Sequence, residues 1–192
     1  MGVSQLRVCA LRRYSRNIVS DSRTKASGSI LIKLQPGDIL LWRIGPSASW
    51  IDRLIGWGER KTGDINSAQV NYYHAGMVGP DALHYYESKP GGFRNTPIPS
   101  PWPDYLEVKR FIIPLTPDEL TKMWIQANSQ LGTGYNYIGV LSAGFIEVAG
   151  KPFCSESVWR LCTFAARVIC PWKKCLSPDD LEASSVLRTV DQ

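Results

Sequence analysis

One cysteine stands where a thiol can act as a nucleophile. Cys154 directly follows the helix-breaking segment Gly150-Lys151-Pro152-Phe153, and apolar positions after it recur at helical spacing as far as Ile169. Cys154 therefore falls in the first turn of a predicted helix. Unpaired backbone amides at a helix start favour the thiolate, the reactive form of cysteine. Since a free cysteine is more often a buried core residue, this thiol needs a second group to carry chemistry.

The second group is His74, which lies in a predicted strand. Two small residues, Ala75 and Gly76, follow it. A histidine beside a thiol can serve as its general base. The strand belongs to a predicted hairpin in which Gly79 faces Ala82 across the turn, so that His74 faces Glu87 with Cβ atoms roughly 5 Å apart. A carboxylate there would orient the imidazole and stabilise its protonated form. Without these partners, His74 is an ordinary core or surface histidine and Glu87 a solvated strand residue.

The remaining cysteines and histidines indicate no metal site. The chain has five cysteines and two histidines, with no C-x-x-C pair, so neither a disulfide framework nor a metal or other cofactor is expected. His84 has the opposite strand parity to Glu87, which predicts a structural or solvated side chain. This cysteine usage fits a reducing compartment, and without a secretory signal we expect a cytoplasmic location. The cysteines are Cys9, Cys154, Cys162, Cys170 and Cys175.

The positive charge is concentrated at the start of the chain. The formal net charge is +5, but residues 1–33 carry seven Arg or Lys side chains against one Asp, which gives +6 there and −1 for the rest. A basic nucleic-acid-binding face on the folded part is therefore not supported. No run approaches the ~18 apolar residues of a membrane span. We expect a basic, flexible leader over 1–33 and one domain over 34–192; the oligomeric state cannot be read from the sequence.

Hydrophobic patterning predicts an antiparallel sheet. Strands are expected over 39–44, 72–78, 83–87 and 106–115, where β-branched and aromatic residues lie between turn signals. The five prolines of segment 90–103 predict a surface loop.

Helices are predicted around that sheet. A short helix is expected from Trp50 to Trp57, a second over 116–130 with Thr116 as its cap, and partly helical structure over 135–148. The Cys154 helix is expected to run to Ile169 and end at Pro171, and a last short helix begins at Ser177-Pro178. Together these elements predict an α+β fold: a small antiparallel sheet, curled towards a half-barrel, packed against the Cys154 and Thr116 helices.

Five short motifs share the pattern of one enzyme family. They are Gln35-Pro36-Gly37-Asp38-Ile39-Leu40, Tyr73-His74-Ala75-Gly76-Met77-Val78, Gly134-Tyr135-Asn136-Tyr137, Phe153-Cys154-Ser155-Glu156-Ser157-Val158 and Ser177-Pro178-Asp179-Asp180-Leu181. With the chain order His, acid, Cys, they make residues 35–188 resemble the circularly permuted branch of the papain-like NlpC/P60 superfamily, the YiiX/YaeF/YebB-like group. Asn136 departs from the family pattern, which has Asp at that position.

The resemblance implies a cysteine peptidase-like catalytic triad on a papain-like fold. Cys154 would be the nucleophile, His74 the base and Glu87 the orienting residue, with Tyr135 and Ser155 at the substrate or oxyanion site. The reaction class would be acyl transfer, with no cofactor. We expect an amidase that cleaves peptides or the peptides of peptidoglycan.

Two other functions stay open at this point. The first is a lipid-directed enzyme on the same fold, either an acyltransferase or a thioester or phospholipid hydrolase, which an exposed apolar rim of Trp50, Trp57 and Trp102 beside the 90–103 loop would favour. The second is a catalytically silent binding domain that retains the cleft. An unreactive Cys154 would select it.

Overall fold

The computed structural model describes residues 32–45, 72–101, 103, 105–136, 151–170 and 177–190. All of them belong to one compact unit, Leu31–Gln192. These residues form six strands and three helices. The strands are β1 (Ile39–Arg43), β2 (Tyr72–Val78), β3 (His84–Lys89), β4 (Gly92–Pro97), β5 (Leu106–Phe111) and β6 (Leu187–Thr189), and the helices are α1 (Pro117–Gln130), α2 (Cys154–Phe164) and α3 (Pro178–Glu182).

The six strands form one antiparallel sheet in the order β4-β3-β2-β1-β5-β6. The sheet is open and does not close into a barrel. The α+β class predicted from the sequence is confirmed. In this order β2 lies between β3 and β1, so the strand that carries His74 has a neighbouring strand on each side.

The hairpin β2–β3 is present, but its predicted register is wrong by two residues. Glu87 pairs with Gly76, not with His74. The turn is longer than expected, because the amide of Gly79 donates to the carbonyl of His84 at 2.8 Å. The Asp81 side chain holds the longer loop by accepting from two backbone amides. A shift of two preserves side-chain parity, so His74 and Glu87 still project from the same face.

The segment 90–103 is not a plain loop, because β4 occupies Gly92–Pro97 and pairs with β3 along its whole length. The loop prediction is wrong because of where the prolines lie. None of them lies between residues 91 and 96, and β4 is the edge strand, where a proline at the end removes no hydrogen bond that the sheet needs. The strand predicted over 106–115 is shorter and ends at Phe111.

The helix starts agree with the sequence and one helix end does not. Thr116 caps α1 and Ser177 caps α3, each with a complete capping box. Helix α2 ends at Phe164, five residues before the predicted end, and not at Pro171. The backbone turns at Ala166, which has a positive φ of 57°, and the amide of Arg167 donates to the carbonyl of Cys162.

Two apolar clusters lie on the two faces of the sheet. On the helix side, Ala75 and Met77 of β2 pack with Val158 and Leu161 of α2. On the opposite side, a smaller cluster contains Leu40, Trp42, Val78, Tyr85, Leu106 and Val108. The alternation of β2 therefore sends Ala75 towards α2 and His74 towards the side of Trp42.

Three sequence predictions fall wholly or partly outside the described residues. The short helix from Trp50 to Trp57 and the partly helical segment 135–148 beyond Asn136 belong to this group, as does Trp102 of the proposed apolar rim. The division into a leader and a domain stays a prediction. Among the helices that the structure describes, none combines the length and the apolar character needed to cross a membrane.

The close approach of β4 to the loop after α1 predicts a stability difference between two glycines. Gly92 has φ of +111°, and a Cβ there would lie 2.4 Å from the carbonyl oxygen of Thr133. We expect Gly92→Ala to lower the free energy of unfolding by roughly 2–4 kcal/mol, because the clash is with backbone. Urea denaturation followed by circular dichroism measures it.

Gly132 is the matched control. It also has a positive φ, +79°, but no atom of the described residues lies within 4 Å of the point where a Cβ would stand. Gly132→Ala should therefore cost only the left-handed backbone strain, about 1–2 kcal/mol. Equal losses in the two variants would contradict a role for the contact with Thr133.

Candidate active site

The start of α2 is fixed against β2 and β3. Helix α2 contacts both strands, and the hydroxyl of Ser88 on β3 donates to the carbonyl of Pro152 at 2.6 Å. Inside the first turn, the hydroxyl of Ser157 donates to the carbonyl of Cys154 at 2.6 Å. The cap residue Phe153 gives no side-chain hydrogen bond. The first-turn amides next to Cys154 are thus left without a side-chain cap, which is a favourable place for negative charge.

The β2–β3 ladder stops short of His74. Its pairs run from Val78–Tyr85 to Gly76–Glu87, and His74 lies two residues beyond the last one. On the other side His74 is still paired with Trp42 of β1. We interpret the end of the ladder as the opening through which the imidazole meets the start of α2.

His74 interacts with a side chain on each side. Its Nε2 lies 2.8 Å from Oε2 of Glu87, and the side chain of Cys154 is close enough to raise the pKa of the imidazole. Because Glu87 occupies Nε2, the nitrogen left for Cys154 is Nδ1. A carboxylate on Nε2 fixes the tautomer in which Nδ1 of the neutral ring can accept the thiol proton.

Glu87 is fully buried and is surrounded by donors. Besides His74, it accepts a hydrogen bond from the hydroxyl of Thr96 at 2.7 Å, from Nε of Arg94 at 3.1 Å and from the hydroxyl of Tyr85 at 3.2 Å. Nζ of Lys89 lies 2.6 Å from Oε1. Burial raises the pKa of Glu87, but the hydrogen bonds from His74, Thr96 and Arg94 outweigh it, so the pKa lies below its ordinary value.

The two side chains hydrogen-bonded to His74 favour its protonated form. Burial by itself lowers the pKa of His74, whereas the hydrogen bonds to Cys154 and Glu87 and the charges of both groups raise it, to about 9. An imidazolium next to a thiol is the partner that a thiolate requires. Both neighbours of His74 therefore favour its charged, imidazolium form.

Aromatic rings cover the imidazole on the side away from α2. The ring centroids of Trp42 and His74 are 4.9 Å apart, and those of Trp42 and Tyr85 are 5.1 Å apart. Gly76 leaves room for the Tyr85 ring, since a Cβ on Gly76 would lie 2.6 Å from that ring. The His74–Glu87 hydrogen bond is thus shielded from water, which strengthens it.

The other two predicted site residues are buried near the start of α2. Gly134 lies against the side chain of Lys151, which brings the segment of Tyr135 next to the segment that precedes Cys154. Ser155 is completely buried, and its hydroxyl has no hydrogen-bond partner among the described residues. Asn136, where the family pattern has Asp, is also buried. The roles of Tyr135 and Ser155 stay predictions.

Several other polar and cysteine residues of the sequence lie outside the candidate site or serve the packing of the fold. His84 lies on the surface, 2.6 Å from Asp81, as its parity predicted. Cys162 is buried and free, and burial raises its pKa to about 12. Glu156 in the first turn of α2 is bonded to Arg160. The structure differs from the sequence prediction at Cys170, which is disulfide-bonded; its partner lies outside the described residues. The cytoplasmic location stays a prediction.

Sequence reasoning missed several residues around Glu87. Arg94 and Thr96 belong to β4, which the prolines had hidden, and the sequence predicts Trp42 only as part of a buried strand. A signal for Trp42 exists in retrospect: if β1 and β2 are recognised as neighbours, a large aromatic residue must face a residue of β2 on the surface opposite to α2.

The fold and the site together define an α+β protein in which a cysteine at a helix start meets a histidine on a sheet strand. No model of a known protein family matches the chain, and no curated protein matches it either. Among solved structures, the chain is similar to the crystal structure of the metalloprotein yiiX from Escherichia coli O157:H7, with a TM-score of 0.59 and 21% sequence identity. The similarity covers 82% of this chain and 97% of that one. At this identity the similarity shows a common fold.

Because the neighbour is a metalloprotein, we tested whether the site residues fit a metal. Among the described residues, no three His, Cys, Asp or Glu side chains form a group that could hold a metal ion. One ring nitrogen of His74, Nε2, is already occupied by Glu87 at 2.8 Å. The site residues described here do not fit a metal centre.

The partners of His74 predict how its pKa responds to substitution. Glu87→Gln removes an anion and should lower the pKa of His74 by roughly 1–2 units, because an adjacent opposite charge is worth about that much. The pKa of His74 falls because burial disfavours the charged imidazolium, and the variant has one anion fewer to offset that effect. Histidine NMR titration measures it, and His84 supplies the second histidine signal as an internal control. An unchanged His74 titration would mean that Glu87 does not stabilise the imidazolium.

Proposed function

We propose that this chain is a cysteine-dependent acyl-transfer hydrolase, with Cys154 as nucleophile, His74 as general base and acid, and Glu87 as the residue that orients His74. The observation that carries the proposal is the position of His74, whose Nε2 lies 2.8 Å from Glu87 and whose pKa is raised by both Cys154 and Glu87. This is the order of contacts that a thiol, base and acid triad requires.

The proposed reaction proceeds in two steps. His74 takes the Cys154 proton, and the thiolate attacks the acyl carbon of the substrate. Backbone amides of the first turn of α2, which Phe153 leaves without a side-chain cap, hold the oxyanion. The imidazolium then returns its proton to the leaving group, which departs and leaves a thioester on Cys154. Water, deprotonated by neutral His74, releases the acyl group and restores the thiol.

The circularly permuted papain-like assignment is part of this proposal. It is supported by the chain order His, acid, Cys and by a nucleophile at the start of a helix that packs on the histidine strand. The fold shared with yiiX is compatible with it. We take amide bonds in peptides or peptidoglycan peptides as the first substrate class to test, and thioesters and phospholipids as the second.

Thiol reactivity tests the proposal. We expect iodoacetamide to label Cys154 rapidly at pH 6.5 and His74→Ala to slow that labelling roughly 10- to 100-fold, since an ordinary thiol with a pKa of ~8.5 is about 1% thiolate two units lower. Peptide mass spectrometry over pH 5–9 measures the rates site by site.

Cys162 is the internal control, because it is buried and its pKa is raised to about 12. It should label slowly in both proteins if the fold is intact. His74→Gln, which keeps most of the side-chain volume, separates loss of the base from loss of packing. If Cys154 labels no faster than Cys162 and neither variant changes its rate, the chain is a silent binding domain.

Ser155 offers a test of the oxyanion and substrate site. Its buried hydroxyl has no partner in the described part of the chain, so Ser155→Ala should leave the free energy of unfolding unchanged or raise it by about 1 kcal/mol. If the hydroxyl binds the substrate acyl group, the same variant should lower the rate of the p-nitrophenol burst from p-nitrophenyl acetate about tenfold. Unchanged ester cleavage in Ser155→Ala, beside a silent Cys154→Ala, would remove Ser155 from the site and leave Cys154 in it.

A further inference from the structure

Two arginines lie directly opposite each other at the β6 edge of the sheet. Arg110 of β5 pairs with Arg188 of β6, so their side chains project from the same face. Like charges in this position destabilise a sheet unless an anion lies between or beside them. The structure supplies such an anion, the buried carboxylate of Asp38.

Asp38 neutralises only one of the two arginines. Its Oδ1 lies 2.7 Å from Nε of Arg110, and its Oδ2 lies 2.7 Å from Nη2 of the same guanidinium. Oδ2 also accepts from the amide of Gln35 at 2.8 Å. Arg188 is exposed, and its guanidinium has no ion-pair partner among the residues that the structure describes. One positive charge is left over.

Both arginines line a cavity of about 420 Å³ whose other walls are mainly apolar, with Pro114, Leu115 and Leu120 among them. This volume is within the range of roughly 300–1,000 Å³ that small-molecule sites occupy. Of the five predicted site residues, none lines the cavity. It is therefore a separate feature of the molecule.

A second cavity of about 350 Å³ is a neighbour of the first, since Ile112 lines both. Ile113 and Val168 line this part and are 69% and 59% exposed, which is unusual for branched apolar side chains. Its own cation, Arg167, lies 3.3 Å from Glu119 and is neutralised there. The two cavities adjoin at Ile112, with Arg188 in the wall of the first and Ile113 in the wall of the second; together they are called the groove.

We infer that this groove binds a single-chain anionic amphiphile as a monomer, with its carboxylate or phosphate on Arg188 and its aliphatic chain across Ile112 and Ile113. The planar guanidinium matches either head group with two parallel hydrogen bonds. The apolar wall removes the chain from water. The inference does not depend on the chemistry proposed for Cys154.

Calorimetric titration of the full chain with decanoate, kept below its critical micelle concentration, tests the charged end. Arg188→Gln should weaken binding about tenfold or more, because it removes the charge-assisted hydrogen bonds to the head group. Lys122→Gln is the matched control: it also removes one positive charge, and Lys122 lies on α1, paired with Asp118, outside both cavities. It should bind decanoate like the wild type.

The apolar end is tested by Ile113→Ser, which should weaken decanoate about tenfold and butyrate hardly at all, since only the longer chain reaches Ile113. Ile125→Ser is its control, because Ile125 is 58% exposed and lies outside the groove. Decanol has a chain of the same length but no charge, and it should bind at least tenfold more weakly than decanoate.

Three results would overturn the inference. They are equal affinity of Arg188→Gln and Lys122→Gln for decanoate, equal affinity of the wild type for decanol and decanoate, and binding to anionic vesicles without binding to monomeric decanoate. Thermal unfolding of each variant shows that it is folded. None of these results bears on Cys154 labelling, so the two proposals fail separately.

Discussion

The arrangement of the site depends on one buried negative charge. Glu87 has no solvent exposure, and a carboxylate removed from water is stable only if donors replace its hydration. The described residues provide five, from β2, β3 and β4, and the imidazole of His74 is one of them. The same hydrogen bond that satisfies the carboxylate fixes the ring of His74. The requirement for donors and the orientation of the candidate base are thus a single constraint.

This constraint explains why β4 matters to the candidate site. Arg94 and Thr96 have no contact with Cys154 among the hydrogen bonds described, yet they share the charge of Glu87. Without them the carboxylate would depend on His74, Tyr85 and Lys89 alone. The edge strand β4 therefore contributes to the site through its hydrogen bonds to Glu87.

His74 and Cys154 belong to elements on different faces of the sheet. Alternation sends His74 to the face of Trp42, whereas α2 packs on the face of Ala75. The β2–β3 ladder ends at Gly76–Glu87, and we interpret this end as the opening through which the two side chains approach each other. Trp42 and Tyr85 then close the far side of the ring.

The sequence by itself determined the local features of this protein. Helical spacing and the helix-breaking segment before it placed Cys154 in a first turn, the capping boxes placed α1 and α3, and side-chain parity put His74 and Glu87 on one face. These predictions succeed because they rest on hydrogen bonds and periodicities within a few residues. Parity even survived the error in the turn, since the added length was two residues.

Tertiary structure decided everything that depends on neighbours distant in sequence. The pairing of β1 with β2 set Trp42 beside His74, and the pairing of β3 with β4 set Arg94 and Thr96 around Glu87. The end of α2 and the disulfide at Cys170 belong to the same group. No local pattern encodes these contacts, because they follow from which strand lies next to which, and strand order is settled by packing of the whole sheet.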